Sequence, residues 1–125
     1  MPTRGQVQDQ ISKEITKFFI KHIGNGPKEI RTYIIDDIVL VRIIDTLGAF
    51  SKTLLKSQDP SDIQTIKDIY RKTREYSLDE LYEIVERLTG AKVNTSHHDI
   101  STRTGERVEV FILDQKYEPP HGSIT

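Results

Sequence analysis

The sequence predicts an α+β domain: two β-hairpins form a four-stranded, mainly antiparallel sheet packed by an N-terminal helix and a long central helix. Three observations carry this prediction. The N-terminal segment has the periodic apolar pattern of an amphipathic helix. Two pairs of runs rich in β-branched residues follow later in the chain, and the two runs of each pair are separated by a short turn. The segment between the pairs has helical periodicity. The predicted order is α-β-β-α-α-β-β, in which helices back one sheet and make two layers.

The first helix is predicted from about Arg4 to His22. Its apolar residues recur at spacings of three and four and form one stripe, namely Val7, Ile11, Ile15, Phe18 and Phe19. Gly24, Gly26 and Pro27 then end the helix, because glycine adopts the left-handed cap conformation and proline cannot continue the turn. A phosphate-binding glycine loop would follow a strand instead, so a plain connecting turn is favoured here.

The first hairpin comprises residues 28–35 and 38–44, joined by Asp36 and Asp37. A two-residue loop sets three pairs opposite each other on one face: Ile35 with Ile38, Tyr33 with Leu40, and Arg31 with Arg42. The other face is almost wholly apolar and carries Ile30, Thr32, Ile34, Val39, Val41 and Ile43. This second face is predicted to be the core face.

The central segment is predicted to be helical. Asp45 or Thr46 can cap a short helix through Leu47, Phe50, Leu54 and Leu55, and Asp59 with Pro60 opens the next one. That next element is either one helix of about 28 residues or two helices broken near Tyr76. The single helix is favoured because no proline or glycine interrupts it, although Ser77 begins a capping-box pattern.

The second hairpin is predicted over residues 91–101 and 106–113, with a turn at residues 102–105. Strand alternation would place Val93, Thr95, His97 and Asp99 on one face. Residues 115–125 are predicted to be a flexible C-terminal tail. Residues 1–114 would then be a single domain.

Composition excludes several classes of protein. The formal net charge is −1, which argues against a nucleic-acid binder that relies on bulk positive charge. No cysteine is present, so disulfides, thiolate zinc sites and cysteine nucleophiles are excluded. No apolar run approaches the roughly 20 residues that a membrane span needs. The sequence therefore predicts a soluble cytoplasmic domain with no transmembrane segment of its own.

Catalytic and metal-binding patterns are weak. No nucleophile–base pair, phosphate loop or metalloprotease motif can be recognised, so no enzyme, catalytic residue or cofactor is predicted. The one metal-like cluster is His97-His98-Asp99, but in a strand His98 points away from the other two. A hydrogen-bonded pair that orients the turn is therefore favoured over a metal site. Asp36 and Asp37 are likewise read as turn residues rather than magnesium ligands.

Arginine side chains form the most specific candidate site. Arg31 and Arg42 lie directly opposite each other, which is unfavourable for like charges. A carboxylate such as Glu109 or a helix glutamate, a partner chain, or a bound anion should offset them. The carboxylate is favoured; the alternative is an anion-binding site formed by Arg31, Tyr33, Arg42 and Arg107.

Several motifs together resemble the MpsC family, a component of a sodium-translocating system that generates membrane potential. The matching stretches are Gly24-x-Gly26-Pro27, Asp37-x-Val39-x-Val41-Arg42, Leu88-Thr89-Gly90, and the long run His97-x-Asp99-Ile100-Ser101-Thr102-x-Thr104-Gly105-Glu106-Arg107. The resemblance covers about residues 4–114, and the length is similar to that of stand-alone members of the YbcI type. The chain departs from the family where L-T-P-A-E is common, since it reads Leu47-Gly48-Ala49-Phe50-Ser51.

The resemblance implies a non-enzymatic accessory or regulatory component of a membrane system for bicarbonate uptake or cation translocation. Its partners would be the membrane ion- or bicarbonate-transport subunits, met at the inner face of the membrane. An alternative is a dimeric sensor of small anions that uses the arginine-lined sheet face. A homodimer is expected in either case, because the predicted helices are too few to cover both sheet faces.

Overall fold

Four helices and four strands form the described part of the chain, residues 2–44 and 47–119 without the side chain of Phe50, in this computed structural model. Their order is α1 (Arg4–Ile23), β1 (Glu29–Ile35), β2 (Ile38–Ile44), α2 (Ala49–Leu55), α3 (Pro60–Tyr76), α4 (Leu78–Thr89), β3 (Val93–Ile100) and β4 (Arg107–Leu113). The predicted α+β class is confirmed. The predicted cap at Asp45 or Thr46 lies outside the described residues.

The four strands form one antiparallel sheet in the order β1-β2-β4-β3. The first hairpin has the predicted register, with Arg31 opposite Arg42 and Tyr33 opposite Leu40. The two hairpins join through β2 and β4, which therefore occupy the centre of the sheet. Strands β1 and β3 are its two edges.

The main core lies between one sheet face and the helices α1 and α4. The apolar stripe of α1 is buried as predicted, and so are Ile34, Val39, Val41 and Ile43 of the predicted core face. From β4 the core takes Phe111 and Leu113, and from α4 it takes Leu81, Ile84 and Val85. The Glu80 carboxylate of α4 contacts two side chains of α1: its Oε1 lies 2.8 Å from Lys21 Nζ and its Oε2 lies 2.5 Å from His22 Nε2. These contacts link the two helices at the surface.

The central helical segment differs from the single helix that the sequence favours, because it divides at Ser77 into α3 and α4. The Ser77 hydroxyl donates to the carbonyl of Thr73 at 2.9 Å, and its backbone N–H donates to the carbonyl of Arg74 at 3.0 Å. A serine that bonds back to the backbone in this way competes with regular helical hydrogen bonding.

The division at Ser77 lets the two apolar stripes face different clusters. Helix α4 packs in the main core, whereas α3 packs in a second cluster formed by Leu47, Ile66, Tyr70 and Ile100. No proline or glycine marks this break in the sequence, and the capping-box pattern at Ser77 is the sign that indicates it. Tertiary packing determines the break, because the apolar stripe of one straight helix could face only one of the two clusters.

Two further differences concern strand alternation and the C-terminal segment. The register of β3 shifts between Val93 and Thr95, so Val93 packs against the main core while Thr95 lies on the opposite face. The predicted common face for these two residues is therefore wrong, because a β-bulge breaks the two-residue period.

Tyr117, in the segment predicted as a tail, is buried in the core, and its N–H donates to the carbonyl of Asp36 at 2.7 Å.

Candidate functional site

The sheet face turned away from the helices is the first candidate surface, and we call it the open face. Three rows of residues run across it in the order β1, β2, β4, β3. They are Ile35-Ile38-Ile112-Thr95, Tyr33-Leu40-Val110-His97 and Arg31-Arg42-Val108-Asp99. All described helices that pack on the sheet do so on its other face.

The first two rows of the open face are mostly apolar, and the third row carries three charged residues, Arg31, Arg42 and Asp99. Ile35 is 56% exposed and Tyr33 is 39% exposed, although both are large apolar or aromatic side chains. The four central aliphatic residues, Ile38, Leu40, Val110 and Ile112, are half-buried. Contiguous apolar patches bordered by charges are typical of interaction surfaces.

Each arginine of the third row already has a carboxylate partner. Arg31 Nη2 lies 2.6 Å from Glu29 Oε1, and Arg42 Nη2 lies 3.0 Å from Glu106 Oε2. A side-chain hydrogen bond with Tyr33, and then the bond with Glu29, raises the pKa of Arg31. The side-chain hydrogen bond with Glu106 raises the pKa of Arg42 in the same way. The favoured explanation, pairing with carboxylates, therefore describes this row, with Glu29 and Glu106 as the partners rather than Glu109.

Arg107 does not join Arg31, Tyr33 and Arg42, because it lies on the opposite face of the sheet. There it belongs to a group of three buried charged side chains, Arg74, Arg107 and Glu109, which we call the buried ion cluster. Glu109 Oε1 accepts from Arg74 Nε at 2.7 Å, and Glu109 Oε2 accepts from Arg107 Nε at 2.9 Å. The sequence-predicted anion site is thus split between two faces of the sheet.

A polar network extends the buried ion cluster toward α4 and β3. Arg74 Nη2 donates to Ser96 Oγ at 3.0 Å, and the Ser96 hydroxyl is 2.8 Å from the Tyr82 hydroxyl. Burial lowers the pKa of Arg107. Burial, and then the nearby Arg74 charge, lowers the pKa of His98 below its ordinary value, so this imidazole is neutral at pH 7.

Two periodicities could have revealed the buried ion cluster. In β4, Arg107 and Glu109 alternate with the same period as the buried Phe111 and Leu113, which places both charges on the core face. In α3, Arg74 continues the four-residue spacing of the apolar positions Ile66 and Tyr70. Opposite charges on two buried stripes predict an ion pair between the elements.

The most specific motif of the sequence builds the turn between β3 and β4. The Ser101 hydroxyl accepts from the backbone N–H of Thr104 at 3.3 Å, and the Thr104 hydroxyl accepts from that of Glu106 at 3.2 Å. Gly105 adopts a φ of 77°, which is costly for other residues, and Thr102 occupies the turn itself. Most of this motif therefore positions Glu106 and Arg107 on opposite faces of the sheet.

The glycine motif after α1 is a helix end. Gly24 adopts a φ of 90° and its N–H donates to the carbonyl of Ile20 at 3.1 Å. A Cβ on Gly26 would come within 3.3 Å of the Ile20 side chain, so the loop folds closely over the helix. Pro27 leads into β1, in the connecting role that the sequence predicts.

The histidine motif divides as strand alternation predicts. His97 and Asp99 lie on the open face, in its second and third rows, and the Asp99 carboxylate accepts from the N–H of Ile100 at 2.9 Å. His98 lies on the other face, toward Arg74. Within residues 2–44 and 47–119, no group of three histidine or acidic side chains is arranged to hold a metal ion.

None of the helices in the described part of the chain combines the length and the hydropathy that a membrane span needs. The chain is similar to the uncharacterized protein YbcI of Bacillus subtilis strain 168, with 32% identity over 111 residues that cover 89% of this chain and 88% of the relative. No solved structure shows significant similarity to the chain. The family described as "Na+-translocating membrane potential-generating system (MpsC)" matches residues 3–115, so the chain belongs to the MpsC family.

Proposed function

We propose that this protein is a non-enzymatic accessory component of a membrane system that takes up inorganic carbon as bicarbonate or translocates cations. Family membership supports the link to a sodium-translocating membrane system. The structural observation that supports a role in assembly rather than in catalysis is the open face, a partly apolar surface suited to binding a protein, here a second copy of this chain. The proposed location is the cytoplasmic side of the membrane, in contact with the ion- or bicarbonate-transport subunits.

Co-purification tests this proposal directly. An affinity-tagged copy, expressed from its own locus and extracted in mild detergent, should carry an integral membrane transport subunit with it. Deletion of the gene should slow growth at low carbon dioxide, and added bicarbonate should restore growth. Capture of no membrane subunit, together with unchanged growth of the deletion strain, would contradict the proposal.

We further propose that the open face holds a second copy of this chain. In this dimer the two open faces pack against each other, related by a two-fold axis that lies between the sheets and runs parallel to the strands. Each row then faces the same row of the partner subunit in the reverse strand order, so that β1 faces β3 and β2 faces β4. Leu40 then meets Val110 of the partner subunit in an apolar centre. Arg31 meets Asp99 of the partner subunit, whose carboxylate has no cation within ion-pair distance among the described residues. Opposite charges therefore face each other at the two ends of the third row, while Arg42 faces Val108 of the partner subunit and keeps its own carboxylate partner, Glu106.

The other in-plane axis, perpendicular to the strands, fits less well. It would place the first row against the third, so that Ile35 and Ile38 would face guanidinium groups. Desolvating these guanidinium groups and their carboxylate partners against aliphatic side chains is costly. The charge pattern therefore selects the parallel axis, in which two sheets pack face to face about 10 Å apart.

Leu40→Lys should dissociate this dimer. Leu40 lies in the central row of the open face, so lysine would bury an unpaired ammonium group at the two-fold contact. Sedimentation of the unmodified chain at micromolar concentration should report about twice the 14.4 kDa chain mass. The variant should sediment as a monomer, with the dissociation constant raised by at least about 100-fold.

Ile69→Lys is the matched control, because Ile69 is 53% exposed and lies on α3, away from the open face. This variant should remain a dimer. Circular dichroism should show that both variants keep the native helix content. A monomeric unmodified chain, or equal dissociation of both variants, would rule out the dimer through this face.

The alternative function, a dimeric sensor of small anions, has less support on the open face. Arg31 and Arg42 both have carboxylate partners, and both side chains are at least half exposed to water. Arg107, the fourth residue of the predicted site, lies on the other side of the sheet. Anion binding is therefore better sought on that other side.

A further inference from the structure

The buried ion cluster carries more positive than negative charge. Arg74 is 6% exposed, Arg107 is 2% exposed and Glu109 is fully buried, so two guanidinium groups share one carboxylate in the interior. Within residues 2–44 and 47–119, Glu109 is the only carboxylate within ion-pair distance of either arginine. Arginine stays protonated in proteins, and the cluster therefore keeps a net positive charge.

An excess buried charge is expensive unless another group offsets it. A charge in the interior loses most of its hydration, and its field is weakly screened there. The Phe19 ring, with its centroid 5.2 Å from the Arg107 guanidinium carbon, supplies a partial cation–π contact. The neutral imidazole of His98 supplies no negative charge. The net charge of the cluster therefore favours binding of an anion.

A cavity of about 210 Å³ adjoins the buried ion cluster on the side of α3 and the edge strand β3. Arg107 lines it directly, together with His98 and the half-buried Lys67. Among the described residues, no carboxylate lies within ion-pair distance of the Lys67 ammonium group. A buried arginine, Arg107, and a lysine without a carboxylate in ion-pair distance among the described residues, Lys67, therefore line the same cavity.

The remaining charged side chains of the cavity do not cancel this excess. Arg71 and Asp68 also line it and pair with each other at 3.3 Å. Asp99 also borders the cavity, but its side chain belongs to the open face, where the carboxylate accepts from the N–H of Ile100. Three cations, Arg107, Lys67 and Arg71, therefore line the cavity, and the carboxylate on the same side of the sheet, that of Asp68, is paired with Arg71.

We propose that this cavity binds a small oxyanion, of the class of phosphate, bicarbonate or a short carboxylate. Arg107 would provide the buried charge and Lys67 the charge at the entrance, each forming a charge-assisted hydrogen bond to an anion oxygen. A cavity of this volume accommodates such an anion with a few water molecules, and it is smaller than the pockets that hold drug-sized ligands. The site is separate from the open face and does not depend on the proposed membrane role.

Isothermal titration calorimetry with inorganic phosphate, and separately with bicarbonate, tests the site in the full chain at constant ionic strength. At least one of the two anions should bind saturably with one site per chain. Lys67→Gln should weaken that binding about ten-fold, the loss expected for one charge-assisted hydrogen bond. Lys72→Gln, which removes the same charge from an exposed position of α3 outside the cavity, should leave the affinity unchanged.

A second pair of variants changes the charge of the cavity wall at His98. His98→Glu should raise the melting temperature in the absence of added anions and abolish phosphate and bicarbonate binding, because its carboxylate occupies the anion's place. His98→Gln is the uncharged control and should still bind. Absence of saturable binding with both anions, or equal affinities for Lys67→Gln and Lys72→Gln, would overturn the proposal.

Discussion

Replacing Glu109 with glutamine should lower the free energy of unfolding by about 3–5 kcal/mol, the range for removing one partner of a buried ion pair. The side chain keeps its size, so the loss comes from electrostatics rather than from a cavity. Arg74 and Arg107 both rely on this one carboxylate, at 2.7 and 2.9 Å, and both would remain charged in the interior. Urea denaturation at a fixed chain concentration measures the change.

Glu106→Gln is the control for this experiment. Glu106 also pairs with an arginine, Arg42, but their side chains are 35% and 50% exposed, so its loss should cost at most about 1 kcal/mol. Adding Arg107→Met to Glu109→Gln should recover part of the loss, because one of the two unpaired charges is removed. A Glu109→Gln protein as stable as the Glu106→Gln protein would show that the buried ion cluster contributes little to stability.

Phe19→Ala should destabilise the chain by about 3–5 kcal/mol, the usual cost of truncating a buried phenylalanine. Phe19 is 1% exposed, packs edge-on against Phe18 with ring centroids 5.6 Å apart, and presents its ring to the Arg107 guanidinium. The substitution therefore removes both apolar burial and a cation–π contact. Thermal unfolding should show a decrease in melting temperature of about 10–20 °C.

Ile20→Ala provides the comparison, one residue further along the same helix. Ile20 is 53% exposed, so its truncation should change stability by no more than about 0.5 kcal/mol. Similar effects of the two substitutions would mean that α1 does not contact the core through Phe19. The assignment of its buried face would then be wrong.

Most of the fold follows from local periodicity in the sequence. The stripe of α1, the register of the first hairpin and the core face of β1 and β2 are all predictable, because one buried face imposes a period of 3.6 or 2 residues. The division at Ser77 and the bulge after Val93 are not predictable in this way. Both depend on which distant element the segment must contact.

The candidate site, like the fold, is predictable from the sequence only where local periodicity determines it. The opposed arginines of the first hairpin are predictable from a two-residue loop, whereas their partners Glu29 and Glu106 are not, because rotamers and the turn geometry select among several carboxylates. The inclusion of Arg107 in that site depended on its residue type alone. Strand alternation in β4, which places it with Phe111, assigns it to the opposite face.

The strand order also has a consequence for how the chain folds during synthesis. β4 is the last of the described strands to leave the ribosome, yet it lies between β2 and β3 at the centre of the sheet. Its partner Ile38 precedes Ile112 by about 70 residues, so this pairing is a contact of high sequence separation. Until β4 emerges, β2 has an unpaired edge beside the apolar Val39 and Val41, which is an aggregation hazard for a nascent chain. Completion of the sheet therefore waits until β4 has emerged, and nascent chains that stop before β4 should depend on chaperones.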